Sequence, residues 1–323
     1  MVSAAALVCA SHSPLMGFTE PVHGVRRRVD AAFADARRFI ASYAPDLVVL
    51  FGPDHYNAMF YDLMPPFCIG AAATSLGDYE FPTGPLSVDH EAAMAIVRGV
   101  LDVDVDVAYS EAMYVDHGFS QPLELLFGGL DRVPVVPVFI NSVAEPLGPP
   151  RRARHLGDAV GRAAARLGRR VLYLGSGGLS HDPPVPRINE APPEVVARLI
   201  SEGRRLTPAQ RAKREQRAIR AGRDLAAGTA RIKPLNPEWD RNLLDVFAAN
   251  RLAEVDDWNT EWFAEHAGHS SHEVRTWIAA YAALAATGPY EVTSRFYEAV
   301  PEWIAGFAVT HARSLNTVPE YTR

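Results

Sequence analysis

Through the first half of the chain, short unbroken apolar runs alternate with longer stretches whose apolar residues recur every three or four positions. Ala4 to Ala10, Asp46 to Phe51, Val135 to Ile140 and Val171 to Leu174 read as buried strands. Val22 to Tyr43, His90 to Leu101 and Arg152 to Leu167 read as amphipathic helices. Strands alternating with helices predict an α/β fold, a central β-sheet flanked by helices on its faces. Beyond Pro183 the pattern becomes mostly helical, and Pro183, Pro184, Pro186, Pro192 and Pro193 punctuate the change. Candidate polar residues come from both halves. The expectation is therefore a single domain over residues 1–323, with a helix-rich second lobe from about residue 184.

Composition narrows the class. The chain has 323 residues, 48% hydrophobic and 22% charged, with ample material for a large core. A net charge of -6 offers no broad attraction to nucleic acid or to an anionic membrane, and neither partner is expected. The basic stretch from Arg204 to Arg223, with Arg211, Lys213, Arg214, Arg217 and Arg220, reads in this setting as a solvated helix face. The two cysteines, Cys9 and Cys68, sit in apolar stretches without C-x-x-C spacing, which suits a reduced, cytoplasmic protein. No apolar run approaches the roughly 18 residues of a membrane span. The opening MVSAAALVCA lacks a basic n-region and reads as a buried first strand rather than a signal peptide.

Histidines fall where strands are expected to end. His12 follows the first strand in Ser11-His12-Ser13-Pro14, and His55 the second in Pro53-Asp54-His55-Tyr56-Asn57. His117 lies in Val115-Asp116-His117-Gly118, past an expected strand around Val105 to Ala108. His181 ends Gly175-Ser176-Gly177-Gly178-Leu179-Ser180-His181. In α/β sheets the carboxyl ends of strands form the crevice where functional groups gather. Imidazole is both the commonest metal ligand and the commonest acid–base group near neutral pH. If two of these histidines bind a redox-active metal, an anionic oxygen is needed beside them. Glu273, in Ser270-Ser271-His272-Glu273, is the candidate; it opens an apolar helix reaching about Ala286, with Ser270 or Ser271 as the expected N-cap. A first-turn carboxylate also suits a helix dipole with no metal present. Gly175-Ser176-Gly177-Gly178 lacks both phosphate-binding glycine patterns, and neither Ser176 nor Ser180 sits in G-x-S-x-G.

Taken together with Pro301-Glu302-Trp303-Ile304-Ala305-Gly306-Phe307, Met64-Pro65-Pro66-Phe67-Cys68 and Leu235-Asn236-Pro237, these motifs resemble the class III extradiol dioxygenases over nearly the whole chain. The resemblance implies that His12, His55 and Glu273 hold Fe(II), that His181 is a base and that His117 is an acid. It implies a catechol and O₂ as substrates, with an acidic side chain beside one hydroxyl, and a homo-oligomer. Asp116 is expected to orient His117, and the Arg-rich segment or Arg275 to meet the acidic tail. The segment from Ile188 to Arg231 and the residues just after Gly77 match the family less closely. A zinc-dependent hydrolase or lyase on the same ligands, and a non-catalytic scaffold, are the competing readings. The acid–base pair argues against a scaffold, and metal identity separates the other two.

Overall fold

The computed structural model describes residues 5–315; Ala4, where the first strand is expected to start, lies outside them. The first half runs β1 (Ala5–Ala10), α1 (Val25–Tyr43), β2 (Leu47–Gly52), β3 (Phe67–Gly70), β4 (Ala73–Leu76), β5 (Thr83–Pro85), α2 (His90–Leu101), β6 (Ala108–Ser110), β7 (Met113–Val115), α3 (His117–Phe127), β8 (Val135–Ile140), α4 (Pro150–Ala165) and β9 (Val171–Ser176). The second half runs α5 (Pro193–Ile200), α6 (Pro208–Ala226), α7 (Pro237–Ala248), α8 (Thr260–Ala267), α9 (Val274–Ala285), β10 (Tyr290–Val300) and β11 (Ala305–Ser314). Among the described residues an eight-stranded sheet has the order β10-β11-β1-β9-β2-β8-β3-β6, and a small second sheet the order β5-β4-β7.

The α/β expectation holds, and the four apolar runs form the parallel centre β1-β9-β2-β8. Their unbroken hydrophobicity follows from burial on both faces. Leu7, Cys9, Val49, Phe51 and Val138 enter one core, shared with α2, α4 and α9. Alternate residues Ala6, Val8, Leu50 and Leu172 enter the other, shared with α1 and α3. On the first face α4 lies close against α9. A Cβ on Gly157 would come 2.2 Å from the Ala279 carbonyl oxygen, and one on Gly161 2.3 Å from that of Ala283. Only glycine permits that approach, and it fixes the helix that follows Glu273.

Several element ends move by one to three residues, and three larger features depart from the sequence reading. Near His117 the strands are Ala108–Ser110 and Met113–Val115, so residues 105–107 precede them rather than forming a strand. After the helical lobe the chain returns to the sheet as the antiparallel pair β10 and β11. β10 is an edge strand bearing Glu291, Arg295 and Glu298, so it has no buried apolar run to announce it. Neither Ser270 nor Ser271 caps α9: residues His269–Glu273 form a 3-10 turn, and Ser271 Oγ donates to the Phe263 carbonyl.

Candidate active site and metal centre

Because β1, β2 and β9 are parallel, His12, His55 and His181 all emerge at one sheet edge. His117 arrives differently, as the first residue of α3, and Glu273 as the last residue of the turn before α9. These five positions, from both halves of the chain, meet at the floor of one cavity of about 420 Å³.

Each imidazole is held through its far nitrogen. His12 Nδ1 lies 2.9 Å from Ser176 Oγ, and His55 Nδ1 lies 3.0 Å from Asp116 Oδ2. A neutral ring that donates its Nδ1 proton outward turns its Nε2 lone pair inward. His55 Nε2 is 3.0 Å from Glu273 Oε1, and His12 Nε2 is 3.5 Å from Glu273 Oε2. Lone pairs facing carboxylate oxygens at that range need a cation or a proton between them. Adjacent ligands at bonds of about 2.1 Å and right angles would stand about 3.0 Å apart, so the donor set fits a divalent metal. The donor atoms of His12, His55 and His117 also lie within 4.8 Å of one another, making three histidines the geometric competitor. That alternative would leave Glu273, buried to 1% exposure, as an anion with no metal beside it.

The electrostatics follow from burial and charge. Burial pushes the His12 imidazole down to about 3, only partly offset by Glu273, so it is neutral at pH 7. Burial alone would lower His55 too, but Asp116 and Glu273 outweigh it and hold it well above the usual range. Burial opposes charge on Glu273, yet His181, His12 and His55 together keep its carboxyl well below the usual range. Its Oε2 also accepts from the Gly178 N–H at 3.0 Å. His181 Nε2 is 3.0 Å from Glu273 Oε1, and its Nδ1 lies 3.0 Å from the Leu179 carbonyl, to which it donates.

Asp116 serves a different histidine from the one expected. It is fully buried and accepts from the His55 ring and, at 2.9 Å, from the His55 backbone N–H; His117 Nδ1 stands 3.9 Å away. His117 is held by Asp78, which accepts from its Nδ1 at 2.5 Å and its backbone N–H at 2.9 Å. Asn57 Nδ2 donates to both carboxylates, tying the pairs together. Asp78 is invisible in sequence because nothing in Gly77-Asp78-Tyr79 has a periodic or motif signature. Ser176 was legible only as part of a glycine-rich turn, and its role is to steady His12. The loop carrying His181 is anchored by buried Asp240, which accepts from the Ser180 N–H and Oγ and from the Tyr297 hydroxyl, each at 2.7 Å.

Above the floor, the walls are Phe60, Leu199, Leu206, Trp303 and the Pro183–Pro186 segment. The Arg-rich segment supplies Arg214 and Arg217, and α5 supplies Arg198. Arg275 points elsewhere: it is buried, donates to the Gly148 carbonyl at 3.0 Å, and burial brings it down to about 9. Both cysteines are free and buried, and no helix among the described residues is long and apolar enough to cross a membrane.

Comparison with known proteins agrees with the resemblance. Residues 6–308 match the family described as the catalytic LigB subunit of aromatic ring-opening dioxygenase. A protein of Rhodococcus sp named 2,3-dihydroxyphenylpropionate/2,3-dihydroxicinnamic acid 1,2-dioxygenase is 64% identical over 311 residues, covering 96% of this chain and 99% of the relative. Proteins of the same name from Mycolicibacterium vanbaalenii and, numbered 1, from Pseudomonas putida are 55% and 51% identical. They cover 95% and 96% of this chain and 97% and 99% of their own lengths.

Proposed function

This chain belongs to the LigB family of aromatic ring-opening dioxygenases and is an extradiol catechol dioxygenase; on that premise we propose that it opens 2,3-dihydroxyphenylpropionate and 2,3-dihydroxycinnamate using Fe(II). His12, His55 and Glu273 are the proposed ligands, His181 the base and His117 the acid. One observation supports the reading: the Nε2 atoms of His12 and His55 converge on one buried carboxylate at a point that opens directly into the cavity, with His181 and His117 lining the same floor. The names of the similar proteins support the substrate.

A ferrous ion held there would bring catechol and O₂ together and pass electrons from one to the other, which a zinc ion cannot do. The remaining work belongs to the chain. His181 Nδ1 donates to Leu179 and its Nε2 stands 3.0 Å from Glu273 Oε1; with Glu273 engaged by the metal, that Nε2 would accept a catechol hydroxyl proton. His117, oriented by Asp78, presents its opposite nitrogen to the cavity and returns a proton as the ring opens. Phe60, Leu199, Leu206 and Trp303 give the ring an apolar surround. Both halves of the chain furnish the site, which supports a single catalytic domain over residues 1–323. A cytoplasmic location and a homo-oligomer belong to the same proposal, the latter checked by light scattering.

The test is anaerobic loading with Fe(II) or Zn(II), followed by O₂ uptake with 2,3-dihydroxyphenylpropionate. The expected result is one O₂ consumed per catechol, a yellow conjugated hydroxy-keto-diene acid, and no turnover with zinc. A colourless muconate-type product, or turnover with zinc, would overturn the iron assignment.

A further inference from the structure

The cavity is charged unevenly. Three guanidiniums, those of Arg198, Arg214 and Arg217, line its outer part, whereas Glu273 at the floor is the only acidic side chain lining it among the described residues. Arg214 is committed: it donates to the carbonyls of His55 and Tyr56 and to Asn57 Oδ1, steadying the loop that carries His55. Arg198 uses only Nε, donating to the Glu194 carbonyl at 3.1 Å, which leaves both terminal nitrogens. Arg217 makes no hydrogen bond or ion pair among the described residues. It lies one turn beyond Arg214, and Gln210, Arg214, Arg217 and Ala218 form the single face of α6 that meets the cavity. Arg198 meets it from α5 together with Val195 and Leu199.

We propose that Arg198 from α5 and Arg217 from α6, which line the same cavity, form a clamp for the side-chain carboxylate of the substrate. This rests on the substrate reading above and names the groups that select it. A substituent running from the floor past Phe60 and Leu199 would reach the α5–α6 end of the cavity. A carboxylate arriving there finds two guanidiniums with free N–H donors and no competing anion, the geometry for charge-assisted hydrogen bonds. A neutral tail of the same length would gain only the apolar contact.

The experiment compares kcat/KM for 2,3-dihydroxyphenylpropionate and for 3-propylcatechol in the iron-loaded enzyme and in Arg198→Met and Arg217→Met. Met keeps much of the apolar stem, and turnover of 3-propylcatechol reports an intact fold. The native enzyme should favour the acid. Each variant should raise KM for the acid roughly 10–100-fold, leave its kcat largely intact, and leave 3-propylcatechol unchanged. If the native preference for the acid survives in both variants, the clamp is wrong while the substrate reading stands. Equal losses on both tails would mean that the arginines only shape the cavity, which also overturns the clamp. If the native enzyme treats the two tails alike, the substrate reading fails and the clamp fails with it.

Discussion

Around the cavity floor, each imidazole that faces Glu273 is steadied through its far nitrogen by a named side chain or carbonyl; along the roof, Arg198 and Arg217 face the same space with no acidic partner. The floor stands on sheet ends and turns that adopt costly conformations. Tyr56, Tyr79 and Ile304 all line the cavity with positive φ, at 55°, 48° and 51°. Such residues cost of order 1–3 kcal/mol each and persist only where surrounding contacts enforce them. The roof is two amphipathic helices, and α6 buries only Ile219 and Gly222. The difference separates two tasks. Ring-opening chemistry needs groups fixed to within a fraction of an ångström, whereas tail selection needs only charge and shape at a distance from the reacting atoms.

The sharpest test of the floor is Glu273→Ala. It should abolish metal retention and activity while circular dichroism stays native, measured as metal per chain after anaerobic loading. Normal metal content with full activity would remove Glu273 from the centre and favour the three-histidine set. Next in size, His181→Ala and His117→Ala should each lose about 10²–10⁴-fold in kcat with metal retained. The His181 variant should recover partly at higher pH, where solution takes the proton instead. Loss of metal from both variants would make these residues ligands.

A smaller effect separates the two buried carboxylates. Asp116→Asn should weaken metal binding about 10–100-fold, because it loosens His55. Asp78→Asn should leave metal affinity unchanged and lower kcat by about the same factor, because it frees His117. Identical behaviour of the two variants would erase the distinction drawn from their contacts. Smallest is Arg204→Ala in the turn between α5 and α6, which removes the exposed pair with Asp62 and the cation over Phe60. Thermal unfolding should shift by no more than about 1 kcal/mol, with KM for acidic and neutral tails rising alike. A selective effect on the acidic tail would move the clamp toward Arg204.

Much of this was legible along the chain. Val135–Ile140 and His90–Leu101 match their expected ranges, because an unbroken apolar run and a 3.6-residue period are local consequences of where side chains point. His12, His55 and His181 could be placed at strand ends for the same reason, and Glu273 was expected in the first turn of an apolar helix, where the structure puts it one residue ahead of that helix. Partnership was not local. Asp78 reaches His117 across 39 positions, Asp116 reaches past its neighbour to His55 across 61, and Ser176 reaches His12 across 164. Periodicity says which face a residue occupies but not what another element brings to it, so only the packed sheet decided which carboxylate serves which imidazole. The same holds for the arginines. Arg275 and Arg217 are both basic residues on helices, and only the folded chain buries the first against backbone carbonyls and turns the second toward the cavity.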